Sequence, residues 1–284
     1  MQKRLFILFQ YLLPQHALSR LVGHLARSTW TPFKNTFIKW FILRYQVNME
    51  EALSADPVSY ACFNDFFTRA LKPGVRPISS DPNLIVSPAD GVINQSGGIT
   101  KGRLIQAKGR DFSLAALLGG SEERARPFLD GCFATVYLSP RDYHRVHMPI
   151  SGTLKEMVFI PGKLFSVNQS TAASVPDLFA RNERVVCVFD TERGPMIMVL
   201  VGAMIVASVD TVWAGNVCPA GRQVSVTDYV DHLPPIQIGR GEEMGRFKLG
   251  STVVVLFGPD AVELVDDLTA GKSVQLGEAI ARPV

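Results

Sequence analysis

After Pro14, the apolar positions Leu18, Leu21, Val22 and Leu25 recur at i, i+3, i+4 and i+7, with Arg20, His24 and Arg27 on the opposite side. That spacing predicts an amphipathic helix. Thr31-Pro32 is a start signal for the next helix, which carries Phe33, Phe37, Trp40 and Phe41 at similar intervals. Residues 1–47 therefore read as helical. A helical or loop segment follows to Pro77, with Phe63, Phe66 and Phe67 as core candidates. The period then changes. Short β-branched runs punctuated by turn residues appear at Leu84–Val86, Gly91–Asn94, Phe133–Leu138, Leu154–Ile160, Val185–Asp190, Met196–Val201, Ile205–Val209, Thr252–Phe257 and Ser273–Leu276. Long helical patterns do not alternate with them, which argues against a doubly wound α/β sheet. The expected class is α+β, with a helical region over residues 1–60 ahead of a β-rich, sandwich- or barrel-like domain over 61–284. No internal repeat or low-complexity tract interrupts the chain.

Charge sharpens this division. Net charge is only +3, yet residues 1–49 hold seven basic residues (Lys3, Arg4, Arg20, Arg27, Lys34, Lys39 and Arg44) and no acidic one. Basic faces opposite leucine and aromatic faces suit helices lying in the headgroup region of an anionic membrane, where each basic residue adds about 1 kcal/mol. A helical hairpin packed on its own core carries the same pattern. Lys3-Arg4 before Leu5–Leu13, with Ala17-Leu18-Ser19 downstream, resembles a secretory signal. Gln10 and Tyr11 interrupt its apolar stretch and the acid-free pattern runs on to Arg44, so a retained segment is expected. The longest apolar run, Met196–Val209, has 14 residues, short of the roughly 20 that a spanning helix needs. Four scattered cysteines without a CxxC pair read as buried thiols in a reducing compartment. At 284 residues and 47% hydrophobic content, a substantial core is within reach.

Candidate chemistry starts at Leu249-Gly250-Ser251-Thr252, which runs directly into Val253–Phe257. At a tight strand entry, glycine removes the Cβ clash that would keep a serine hydroxyl from the carbonyl preceding it. An N-to-O acyl shift there followed by β-elimination would cut the chain and leave a pyruvoyl group on a new N-terminus. Gly-Ser-Thr is also ordinary turn material. A nucleophilic serine needs a base and an orienting carboxylate. His144 and His147, in a polar segment between a strand and a proline-closed turn, are candidate bases. Asp90, in Ser87-Pro88-Ala89-Asp90-Gly91, is the candidate carboxylate, although Asp-Gly is equally a hairpin turn. Two histidines at i, i+3 without a third ligand do not make a metal site. A P-loop, a dinucleotide glycine fingerprint and a G-x-S-x-G elbow are all missing.

Several segments in order resemble the bacterial phosphatidylserine decarboxylase proenzyme family: Phe63–Arg69, Leu71–Gly74, Arg76–Ile78, Ser87–Gly91, Leu138–Pro149, Gly162–Asn168, Phe179–Arg184 and Leu249–Thr252. The resemblance implies a self-processing triad of Asp90, His147 and Ser251, with cleavage between Gly250 and Ser251 into chains 1–250 and 251–284. It implies that His144 supports decarboxylation and that Phe165, Ser166 and Asn168 line a headgroup pocket, where a structural loop is an equal alternative. The implied reaction converts phosphatidylserine to phosphatidylethanolamine through a Schiff base with a pyruvoyl group made from Ser251, without pyridoxal phosphate or a metal. A peripheral enzyme on the cytoplasmic face of the bacterial cell membrane follows, with no nucleic-acid partner and a homodimer left open. Two rivals stand beside it: a pyruvoyl decarboxylase of another amine substrate, and a non-enzymatic β-rich membrane-binding module.

Overall fold

The computed structural model describes residues 2–284 except 108, 205–207, 219–220 and 249–250, and leaves aside the side chains of residues 2–5. Helices α1 (Gln2–Leu12), α2 (Gln15–Ala26) and α3 (Thr31–Tyr45) come first, followed by a short helix at Phe63–Phe67. The face on which α2 packs is not its leucine stripe. It buries Gln15, Ser19, Gly23 and Ala26, mostly small residues a turn apart that let the helix backbone approach closely. Leu21 and Leu25 stay exposed. On α3 the buried residues are Lys34, Ile38 and Phe41. The charge pattern placed Lys34 on a solvated basic face. Instead its Nζ donates to the carbonyls of Tyr60 (2.6 Å) and Val58 (3.0 Å) and to Asn35 Oδ1 (3.0 Å), so a buried cation finds three acceptors and pins the segment that follows α3.

The largest sheet is antiparallel and nine-stranded. Its order is Ser225–Asp228, Gly152–Ile160, Arg184–Thr191, Gly194–Val201, Ser251–Phe257, Cys132–Leu138, Gly91–Gly98 and Ser273–Val274, with Gln237–Ile238 also pairing Gly152–Ile160. Ser251–Phe257 lies in the middle, with Val255 opposite Ala134 on one side and Met198 on the other. All seven of its residues are buried. Val254 and Leu256, with Ile197, Val199 and Val201, face a core shared with Ala26, Ile38, Phe41, Phe63 and Phe66. Val253, Val255 and Phe257 face a second core with Met196, Met198 and Leu200. A sheet covered on both faces needs apolar side chains at every position, hence continuous runs instead of alternation. The first of these cores spans both sides of the residue 60/61 boundary.

Each apolar run overlaps a strand, Ser273–Leu276 only at Ser273–Val274; of Ile205–Val209, residues 205–207 lie outside the described residues, Ser208 is not in a strand and Val209 begins one. A second sheet had no hydrophobic signature. It orders Gly215–Asn216, Val209–Thr211, Glu243–Phe247 and Arg145–His147, and ion pairs from Glu243 to Arg145 (2.8 Å) and Arg246 (2.6 Å) brace it. The four cysteines are free. Among the described residues, no helix is long and apolar enough to cross a membrane.

Candidate active site

Ser251 is the first residue of the middle strand, opposite Leu138. It is fully buried, and its Oγ has no hydrogen-bond partner among the described residues. Leaving a buried hydroxyl unpaired costs roughly 1–3 kcal/mol, so an orphan at this place calls for a reason. Leu249 and Gly250 lie outside the described residues.

Both histidines come from the polar segment that sequence patterning placed in a turn. Arg145–His147 is a strand instead, paired with Glu243–Phe247. The reason is that its one fully buried residue, Val146, is too little for an alternation to register. His144, just before it, is wholly buried and tilted against Phe67 with centroids 4.0 Å apart. Its Nδ1 lies 2.8 Å from the Asp142 carbonyl, which only accepts, so Nδ1 carries the hydrogen and Nε2 the lone pair. That Nε2 is buried without a partner among the described residues. Burial pushes the pKa of His144 down to about 3. Its carbonyl accepts from Phe247 N at 3.0 Å, four residues before Ser251. His147 is arranged alike: Nδ1 donates to the Gly241 carbonyl (2.9 Å), leaving Nε2 to accept from the Tyr143 hydroxyl (3.2 Å). Burial lowers its pKa too, against the opposing influence of the Gly241 hydrogen bond and of Glu243.

Asp90-Gly91 is not a hairpin turn. Gly91 opens the Gly91–Gly98 strand, and a Cβ there would stand 2.3 Å from the Tyr137 carbonyl oxygen, so only glycine allows the approach. The buried Asp90 carboxylate accepts from Arg76 Nε (2.9 Å to each oxygen), Arg76 Nη2 (2.6 Å) and Leu276 N (2.9 Å). Arg76 also reaches Glu51 at 2.7 Å. The segments of Asp90 and His147 adjoin, since His147 N donates to the Pro88 carbonyl at 2.8 Å. Their side chains do not hydrogen-bond to each other, and Ser251 Oγ bonds to neither. Asp90, Arg76, Tyr143 and Arg69 line a cleft of about 310 Å³. Sequence reasoning passed over Arg76, Glu51 and Tyr143. The available signal was that Arg76 and Tyr143 lie in Arg76–Ile78 and Leu138–Pro149, two of the segments that carried the family resemblance.

A family model described as phosphatidylserine decarboxylase matches residues 63–282, which include Asp90, both histidines and Ser251. The chain belongs to the phosphatidylserine decarboxylase family. A second family model, described as PSD, matches residues 5–46, the three N-terminal helices. Proteins named phosphatidylserine decarboxylase proenzyme are similar end to end: that of Pseudomonas fluorescens (strain Pf0-1) is 60% identical over 283 residues, covering 99% of both chains. That of Pseudomonas putida (strain F1) is 59% identical over 285 residues, covering 100% of this chain and 99% of its own. The Ectopseudomonas mendocina protein is 60% identical over 281 residues, covering 99% and 98%.

The remaining residues pointed to by the phosphatidylserine decarboxylase resemblance lie away from the Asp90 cleft, under the N-terminal helices. Phe165 is buried against Tyr11, with centroids 4.8 Å apart, and its N donates to Asn182 Oδ1. Ser166 N donates to Gln10 Oε1 at 2.8 Å, and Leu164 N to Gln15 Oε1 at 2.7 Å. Asn168 caps the short helix Gln169–Ala172, its Oδ1 accepting from Thr171 N at 2.9 Å. Gln10, which interrupts the apolar stretch of α1, is therefore the side chain that docks α1 on this loop. Among the described residues no group of three or more potential metal ligands occurs.

Proposed function

We propose that the chain is a self-processing proenzyme that cuts itself between residues 250 and 251 and then decarboxylates phosphatidylserine to phosphatidylethanolamine. Beyond family membership, the observation that carries this reading is the buried, unpartnered hydroxyl of Ser251 at the head of the central strand. Its Oγ attacks the carbonyl of residue 250: a C–O bond forms, the C–N bond breaks, and the amine of residue 251 is freed. Loss of the Ser251 Cα proton expels the carboxylate of residue 250 and leaves dehydroalanine. Water then replaces the nitrogen, which departs as ammonia, and residue 251 becomes a pyruvoyl group. That group supplies an electrophilic carbonyl for the substrate's primary amine and a sink for the electron pair left when CO2 departs.

The protein's own side chains handle protons and position. His147, its Nε2 lone pair set by the Gly241 carbonyl, serves as base for processing, with Asp90 as its orienting partner. Since Arg76 and Leu276 hold Asp90 here, forming that pair requires an exchange of partners. His144, neutral and dry, presents a lone pair at Nε2 that takes up and returns a proton during decarboxylation, a role worth roughly 10²–10⁴-fold. After cleavage the chain 251–284 keeps the Ser251–Phe257 strand, paired along both edges to the large chain, so the two products stay together. The exposed Leu8, Phe9, Leu12, Leu21, Leu25, Trp40 and Leu43 of α1–α3, with Arg20, Arg27 and Lys39 also exposed, support peripheral seating on an anionic membrane, at the cytoplasmic face of the bacterial cell.

Denaturing gels with intact mass measurement test the reading. The wild type should yield fragment 1–250 and a fragment 251–284 with a blocked N-terminus, and Ser251→Ala should stay one chain. Wild-type protein that remains full length after prolonged incubation in its folded form overturns self-processing. Release of CO2 from free serine but not from phosphatidylserine vesicles overturns the substrate.

A further inference from the structure

A cleft of about 860 Å³ lies between α2 and the loop after the Gly152–Ile160 strand, lined by His16, Arg20, Lys163, Arg181, Glu183 and Arg222. None of its four Arg/Lys side chains forms an ion pair with a carboxylate among the described residues. Arg181 sits over two rings, its guanidinium carbon 5.7 Å from the Tyr11 centroid and 5.3 Å from that of Phe165, and its Nη1 lies 3.4 Å from the Tyr11 hydroxyl. A guanidinium held by ring contacts instead of by a carboxylate keeps most of its five donors available for a phosphate. Glu183 is the one carboxylate in the lining. Burial pushes its pKa up to about 7, so near neutral pH it is only partly ionised and repels an anion less than an ordinary carboxylate.

The register of the central sheet places this cleft relative to Ser251. Arg184, Val201 and Thr252 lie side by side on three adjacent strands, and Gly202 N donates to the Glu183 carbonyl at 2.8 Å. The next row is therefore Glu183, Gly202 and Ser251. Two strand spacings put the backbone of Glu183 about 10 Å from that of Ser251. In a serine phospholipid, four bonds separate phosphorus from the amine, about 5 Å. The remaining distance is about the length of an extended lysine or arginine side chain. The helix that supplies His16 and Arg20 to the cleft also carries the exposed Leu21 (58%), and α1 before it ends on the exposed Leu12 (76%), apolar side chains that free phosphate would not need and acyl chains would.

We propose that this cleft receives the phosphodiester of a diacylphospholipid, with Lys163, Arg181 and Arg222 as its ligands and the acyl chains leaving along α1 and α2. The proposal rests on the decarboxylase reading and names where the substrate's phosphate sits. It is tested on cleaved enzyme in mixed micelles of phosphatidylserine and neutral detergent, measuring CO2 release against the surface fraction of lipid. Lys163→Gln/Arg222→Gln should raise KM about tenfold, as expected for losing charge-assisted bonds to a phosphate, and should still cleave fully at 250/251. Arg110→Gln, on the Arg103–Ser113 hairpin, should leave KM unchanged. Dihexanoylphosphatidylglycerol should compete with substrate in the wild type and lose about tenfold in potency in the double variant, while inorganic phosphate at equal concentration should not compete.

If the double variant fails to fold, each single variant is measured, and a KM rise of about threefold in each is expected. An unchanged KM overturns the proposal, and competition by inorganic phosphate as strong as by the lipid overturns its lipid part. Wild-type enzyme that cleaves but releases no CO2 would defeat the decarboxylase reading instead. Direct calorimetric binding of dihexanoylphosphatidylglycerol to wild type and double variant then still decides the cleft.

Discussion

His144 offers a prediction whose size follows chiefly from burial, with the Arg69 charge adding to it and the Asp142 hydrogen bond opposing it. Its pKa in the folded protein is about 3, against an ordinary value of 6.5, because an imidazolium would have to sit without water and without a carboxylate. The unfolded chain therefore binds the proton and the native chain does not. Stability from this group is complete above the unfolded pKa and drains as pH falls from 6.5 toward 3, by about 1.4 kcal/mol per pH unit. Near pH 5 the loss is about 2 kcal/mol. His144→Asn keeps a side-chain N–H for the Asp142 carbonyl but cannot titrate. Both forms are made in a Ser251→Ala chain, so that one intact polypeptide is compared, and are unfolded with urea at pH 7.5 and near pH 5. The Asn variant should be less stable at pH 7.5 and lose about 2 kcal/mol less on acidification. His147, also lowered, is present in both and cancels. Equal losses would show that His144 is hydrated or partnered in the folded protein, and would remove the argument that its Nε2 stays an unprotonated base at neutral pH.

His147→Ala and Asp90→Ala should accumulate uncleaved protein on gels, whereas His144→Ala should cleave and then release CO2 at least about 100-fold more slowly; normal cutting by both of the first two variants would remove the triad. Arg20→Gln/Arg27→Gln/Lys39→Gln should reduce co-sedimentation with anionic vesicles at low salt without changing the melting temperature. Lys34→Gln, by contrast, takes the ammonium donor away from the Tyr60 and Val58 carbonyls in a buried site and should cost about 1–3 kcal/mol in urea unfolding. Gly91→Ala drives a methyl into the Tyr137 carbonyl; it should destabilise by about 1–3 kcal/mol and slow cleavage in a time course, because Asp90 shifts with it.

The central strands were legible because each meets a covered environment along its whole length, and burial on that scale writes itself into continuous apolar runs; helices α2 and α3 were legible from their 3.6-residue spacing and the Thr31-Pro32 start signal, although that spacing did not say which face of α2 packs. The strand start at Ser251 was legible as well, since the turn residues and the apolar run after them are adjacent in the chain, and the ordered segments from Phe63 to Thr252 carried the family. Tertiary structure decided what no local pattern encodes. The strand Arg145–His147 exists because Glu243 and Arg246 come from about 100 residues away to pair with it. Leu21 and Leu25 belong to the outside of α2 because Ser19, Gly23 and Ala26 fit more closely against the domain. Lys34 is interior because two carbonyls of the following segment fold back over it. Asp90 is held by Arg76, which Glu51 holds in turn. Periodicity records how much of a residue is covered, averaged over a turn or a strand; which distant group covers it is set only when the chain closes on itself.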